Sequence, residues 1–178
     1  MEALVVNKDE ILGLAEDLRE ATGYIDVIKL ANEVGIDVYA TSGGPEFNAE
    51  ISYENNGFSI LVNEDHVETR RRFSIAHELG HYVLDRDLLL KHGTLDRSNV
   101  YQDTDEKKRE QQADTLAAEI LMPAAAVKSF VADKGLGKQS RFESETLADM
   151  ADCFRVSRPM AITRLRKLGF TIPYIEFA

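Results

Sequence analysis

The chain has 178 residues, with 21 Lys and Arg against 31 Asp and Glu, so its formal net charge is −10. That excludes a generally basic nucleic-acid coat but leaves room for a local basic patch. A 44% hydrophobic share is enough for one buried core, and Cys153, the single cysteine, excludes both an intrachain disulfide framework and a multi-cysteine zinc site.

Residues 8–22 space Ile11, Leu12, Leu14, Ala15 and Leu18 at helical intervals, and acids cover the other face as a solvated surface. A second short helix is expected over 25–34, closed by Gly35, followed by a strand over 36–40 and a Gly/Pro loop over 41–47. Residues 49–63 contain two alternating runs flanking Asn56-Gly57, which predicts a hairpin turn on that pair and a small antiparallel sheet. A helix is predicted from Val67 to Leu84, a polar irregular stretch over 85–105, and another helix from Glu106 to Leu121 that stops at Met122-Pro123. A short helix over 124–135 leads into a glycine-bearing linker. The tail beyond it reads as two helices joined by a tight turn. The expected division is 1–135 for the main domain and 140–178 for a helical tail. No apolar run approaches the length of a membrane span and no signal-peptide pattern is visible, so a cytoplasmic protein without membrane contact is expected.

The chemically informative segment is the run ending in His77-Glu78-Leu79-Gly80-His81. On a helix, positions i and i+4 share a face, so His77 and His81 can converge on one metal ion. Neutral imidazoles in this arrangement suit Zn2+. Glu78 is one residue round from His77 and can serve as general base and acid for a hydrolytic water. A catalytic site of this kind needs a third protein ligand. An extended HExxHxxGxxH motif is absent, because Leu84 and Asp87 stand where its glycine and third histidine would be. His92 reads as a lone loop histidine. The better candidate is Glu110, because Glu110 and Asp114 share a face four residues apart. Glu110 can ligate the metal, while Asp114 can accept the distal N–H of a ligand histidine and fix its tautomer. Glu119 and Asp87 remain alternatives for the third ligand.

These residues resemble the ImmA/IrrE family of zinc metallo-endopeptidases. The likeness lies in the Phe73-Ser74-Ile75-Ala76 lead-in to the histidine motif and in the Glu110 to Pro123 segment, EQQADTLAAEILMP. It implies an α+β, zincin-like (gluzincin-type) fold, with His77, His81 and Glu110 as zinc ligands and Glu78 as the catalytic acid/base. The substrate it implies is a protein: a DNA-binding transcriptional repressor, cleaved to relieve repression in stress response or mobile-element control. The chain departs from the family at Asp85, where members often carry histidine, and at Leu116, where they often carry phenylalanine.

A peptidase must also hold an extended chain. Residues 58–63 are a candidate cleft edge or, equally, an interior strand. The polar loop over 93–105 is a candidate cleft wall. Tyr101, Tyr82 and His92 are equal candidates for oxyanion stabilisation, and none is assigned.

The tail resembles a helix-turn-helix. Leu147, Ala151 and Phe154 make one apolar face, and Ala161, Leu165 and Leu168 the other. Ser157 is a natural N-cap and Pro159 sits in the first turn. Arg155, Arg158, Arg164, Arg166 and Lys167 give residues 153–170 a charge of +5 with no acid, leaving −15 on the remainder. Three readings follow: a surface docking an acidic patch on a repressor, weak DNA binding, or a basic face that complements the chain's own acidic surface. The alternative to a peptidase is a non-enzymatic, zinc-binding transcription regulator acting through this tail.

Overall fold

The computed structural model describes residues 3–95 and 104–172. Two helices open it, α1 (Lys8–Asp17) and α2 (Val27–Glu33). The α1 helix is nucleated by a capping box. The Asn7 side chain accepts from the Asp9 and Glu10 N–H groups, and the Glu10 carboxylate accepts from the Asn7 N–H. It ends at Asp17, five residues short of the expected limit at 22.

Three strands follow: β1 (Ile36–Thr41), β2 (Ala49–Glu54) and β3 (Gly57–Asn63), in the spatial order β1-β3-β2. The sheet is mixed, which corrects the antiparallel expectation. The β2–β3 pair is an antiparallel hairpin, but β1 runs parallel to β3, with Ile36 opposite Phe58 and Thr41 opposite Asn63. The cause is the loop after β1, which crosses to the far edge so that the hairpin brings β3 back between its neighbours. Asn63 secures that crossing by donating from Nδ2 to the Gly44 and Phe47 carbonyls at 2.6 and 2.8 Å. β3 is therefore interior, and β2 is the edge strand facing the third helix.

The hairpin turn also sits one residue earlier than expected. Its central residues are Asn55 and Asn56, at φ 51° and 63°, and Gly57 pairs with Glu54. Two asparagines supply the positive φ values that a two-residue turn needs. A slip of one residue would turn Phe58, Ile60 and Val62, all buried, to the opposite face.

Six more helices complete the described residues: α3 (Glu68–Leu84), α4 (Arg86–His92), α5 (Thr104–Leu121), α6 (Ala124–Asp133), α7 (Ser144–Phe154) and α8 (Arg158–Lys167). The α4 helix replaces part of the stretch expected to be irregular, because Leu89 turns into the core and is fully buried. α3 lies across the sheet, and α5 packs along α3. They approach closely at Gly80, where a Cβ would stand 3.0 Å from both the Cα and the carbonyl oxygen of Ala113.

One apolar cluster joins the sheet residues Ile51 and Ile60, the helix residues Leu79, Leu116 and Ile120, and the tail residues Leu147, Phe154 and Leu165. Two arginines pin the tail to the rest. Arg72 donates to the carbonyls of Ile25, Arg155 and Phe154, while its guanidinium lies over the Tyr24 ring. Arg164 donates to the Met122 carbonyl at 2.8 Å and is only 6% exposed. Arg164 is therefore a packing residue and leaves the expected docking set. Among the described residues, no single helix is long and apolar enough to cross a membrane.

Candidate metal centre

His77, Glu78 and His81 lie in the middle of α3, and Glu110 and Asp114 lie on the facing side of α5. The close approach at Gly80 and Ala113 sets the two helices near enough for their side chains to meet. The Nε2 atoms of His77 and His81 are 3.0 Å apart. The Glu110 carboxylate spans them, with Oε2 3.1 Å from His77 Nε2 and Oε1 3.1 Å from His81 Nε2. One ligand atom from each of the three residues falls within 4.8 Å of the others.

The outer ring nitrogens are also engaged. His77 Nδ1 lies 2.9 Å from Asp114 Oδ1, and His81 Nδ1 lies 2.8 Å from Asp85 Oδ2. An Nδ1–H donated to a carboxylate turns the Nε2 lone pair inward. Two such lone pairs at 3.0 Å repel unless a positive charge sits between them, and the carboxylate adds a third donor. Two imidazoles and one carboxylate form a donor set that suits a divalent metal.

Without metal, protons take its place. Burial opposes a charged His77 ring, but the Asp114 and Glu110 carboxylates outweigh it and push the ring up to about 9. His81 moves up as well, its burial outweighed by Asp85 and Glu110. Burial works against ionised Glu110, yet the two histidines hold its carboxyl well below the usual carboxylate range. The site thus draws in positive charge whether it comes as protons or as a metal ion.

Glu78 is buried beside the triad, and its Oε2 accepts from the Ile51 N–H of the edge strand β2 at 3.1 Å. It opens, with His77 and Glu110, onto a cleft of about 440 Å³ walled by Asn48, Phe73 and Ser74. A second hollow, about 640 Å³, lies on the other side of the triad beyond His81.

The alternative ligands lie elsewhere. Asp87 is exposed on α4, and Glu119 is held by Lys8 at 2.6 Å. His92 lines the second hollow and is absent from the converging group. Of the oxyanion candidates, Tyr82 is fully buried with its hydroxyl on the Leu4 carbonyl, which removes it from the cleft. Tyr101 lies outside the described residues. The expected cleft edge at 58–63 becomes an interior strand, and the edge beside the site is β2. The β2 N–H groups of Ile51 and Tyr53 are directed to Glu78 and to the Gly93 carbonyl.

Asp85, in sequence only a departure from the family, is a site residue through its bond to His81. Its spacing was the available signal, since it follows His81 by four residues as His81 follows His77. In the tail, Arg158, Arg166 and Lys167 are exposed on α8, whereas Arg155 lies over Tyr24 and 3.4 Å from Glu68.

The family model of the IrrE N-terminal-like domain, a peptidase family, matches residues 31–166. No curated protein matches the chain. Among solved structures, a Mycobacterium tuberculosis transcriptional regulator aligns with a TM-score of 0.54 and 16% identity, over 88% of this chain and 46% of that one. This chain therefore spans about half of that regulator's length, and the likeness is one of fold. The family match runs from α2 through α8 and takes in both helices of the candidate metal centre, so the chain belongs to the IrrE N-terminal-like peptidase family.

Proposed function

We propose that this chain is a zinc-dependent endopeptidase in which His77, His81 and Glu110 hold the metal and Glu78 is the catalytic acid/base. One observation carries the reading: a buried carboxylate, Glu78, stands beside a convergent His-His-Glu group and opens with it onto a cleft. A purely structural metal site has no use for an acid in that position, whereas hydrolysis requires one. When bound, zinc supplies Lewis acidity, lowering the pKa of water and polarising a carbonyl.

The chain's own residues do the rest. The Ile51 N–H holds the Glu78 carboxylate beside the triad. Glu78 takes a proton from the attacking water and returns it to the leaving amine nitrogen. Asp114 and Asp85 keep the histidine rings turned inward. The substrate backbone enters along the cleft lined by Asn48, Phe73 and Ser74.

The substrate we propose is a DNA-binding repressor, in keeping with the family resemblance, cleaved in the cytoplasm to relieve repression. The exposed cations Arg155, Arg158, Arg166 and Lys167 offer it docking contacts. Substrate capture tests this reading. Zinc-loaded Glu78→Gln is expressed in the source cell, and each protein that co-purifies is offered to wild type with and without chelator. A DNA-binding protein cut by wild type, but not by the variant or under chelation, is the expected result. Partners or DNA retained equally without zinc, and no cut protein, would favour a regulator acting through the tail.

A further inference from the structure

The hollow beyond His81 has no part in the chemistry assigned to Glu78. It is bounded by Leu88, His92, Leu95, Glu106, Arg109 and Glu110. Glu106 precedes Glu110 by one helical turn, so both carboxylates share a face of α5. Glu106 is only 6% exposed, and its Oε1 is buried without a hydrogen-bond partner among the described residues.

An acid in the first turn of a helix is favoured by the helix dipole. That accounts for the charge at this position but not for its burial, and a buried acceptor without a donor is costly. The neighbouring cation does not supply one. Arg109 sits on the same helix and directs its Nε towards Asp85, 3.8 Å from Oδ1. The hollow therefore combines a buried acceptor lacking a donor with two leucine walls, directly beside the proposed metal.

We infer that this hollow is a substrate subsite for a basic side chain flanking the scissile bond, with Glu106 as its specificity-determining residue. The inference rests on the peptidase reading above. Leu88 and Leu95 pack the aliphatic stem of an arginine or lysine, and the charged head donates to Glu106. An acidic side chain would meet the Glu106 carboxylate, Glu110 being committed to the metal. An apolar one would leave Glu106 without a donor. At about 640 Å³ the hollow has room for the longest side chains.

The test uses zinc-loaded full-length chain and a set of extended peptides differing at one position, which carries Arg, Lys, Leu or Glu. Cleavage is followed by mass spectrometry for wild type and Glu106→Gln. Binding of the same peptides, fluorescently labelled, is measured on Glu78→Gln and on Glu78→Gln/Glu106→Gln. Thermal midpoints check folding, and Glu106→Gln is expected not to lower the midpoint, since it removes a buried charge. Wild type should favour Arg and Lys over Leu by roughly ten- to a hundredfold, and Glu106→Gln should erase most of that ratio. Cleavage without a basic preference, or with a preference that survives Glu106→Gln, overturns the subsite and leaves the peptidase reading intact. No cleavage by wild type, with Arg-peptide binding that falls about tenfold in the double variant, overturns the peptidase reading and keeps the subsite. No cleavage and no Glu106-dependent binding overturns both.

Discussion

Each histidine of the candidate ligand set depends on a carboxylate behind it. Asp85 is 5% exposed and holds His81 at 2.8 Å, whereas the Asp114 side chain that holds His77 is 52% exposed. A buried, charge-assisted hydrogen bond orients a ring more firmly than one open to water. Asp85→Asn should weaken zinc affinity by roughly 10- to 100-fold, and Asp114→Asn by less, as read by competition with a chromophoric chelator. Equal affinities for all three chains would show that neither carboxylate orients a ligand.

The metal-free site also predicts a pH dependence. Its His77 ring titrates at about 9, above the ordinary 6.5. A ring raised on folding stabilises the fold fully below pH 6.5, and that contribution disappears as pH rises through about 9. Chelator-treated protein should therefore lose thermal stability across this window. The further stabilisation conferred by zinc should grow over the same range, because the metal displaces those protons. Parallel melts of the two forms check this, and a pH-independent gap between them would contradict it. His77, Glu78 and His81 were legible in the sequence because their relation is local to one helix. Glu106 was not. The polar run around it reads as a solvated face, and only tertiary packing shows that Glu106 is buried.

At the scale of elements, the site depends on how closely α3 and α5 approach. Gly80 sits inside the histidine motif, and a methyl group there would meet the Ala113 backbone at 3.0 Å. Gly80→Ala gains intrinsic helix propensity, worth about 1 kcal/mol, but it forces the two helices apart. Overpacking of this kind costs about 1–3 kcal/mol, so a net loss is expected. The same displacement should carry Glu110 away from the histidines and weaken zinc binding. Chemical denaturation and zinc titration of this variant check both effects.

The helices themselves were largely legible, since their periodicity and stop signals are local. The sheet was less so. The parallel pairing of β1 with β3 depends on a crossing that no short window of sequence contains. The position of the turn depends on which face of β3 the core accepts. α4 was hidden for a related reason: only the burial of Leu89 distinguishes its polar surroundings from a loop.

At the scale of the whole molecule, the tail is held by packing and by buried arginine donors. Arg72 reaches from α3 to carbonyls of Ile25, Phe154 and Arg155, even though burial lowers its own pKa. Replacing it with Met would leave three acceptors without their donor, at about 1–3 kcal/mol for each that stays buried. Part of that loss is offset by the desolvation that Arg72 no longer bears, so a net destabilisation of roughly 3 kcal/mol is expected in urea unfolding. A stability unchanged by Arg72→Met would show that the tail is not anchored through this residue. The basic stretch was visible in composition, but composition could not separate buried Arg164 from exposed Arg158, Arg166 and Lys167.

The proposed mechanism places metal binding and proton transfer in different residues of one site. The most direct test measures zinc affinity and peptide hydrolysis together for wild type, Glu78→Gln and Glu110→Gln. Glu78→Gln should bind one zinc about as tightly as wild type and lose at least about a hundredfold in rate, while Glu110→Gln should lose affinity for the metal itself. Hydrolysis by Glu78→Gln at the wild-type rate, or zinc binding indifferent to Glu110, would contradict it.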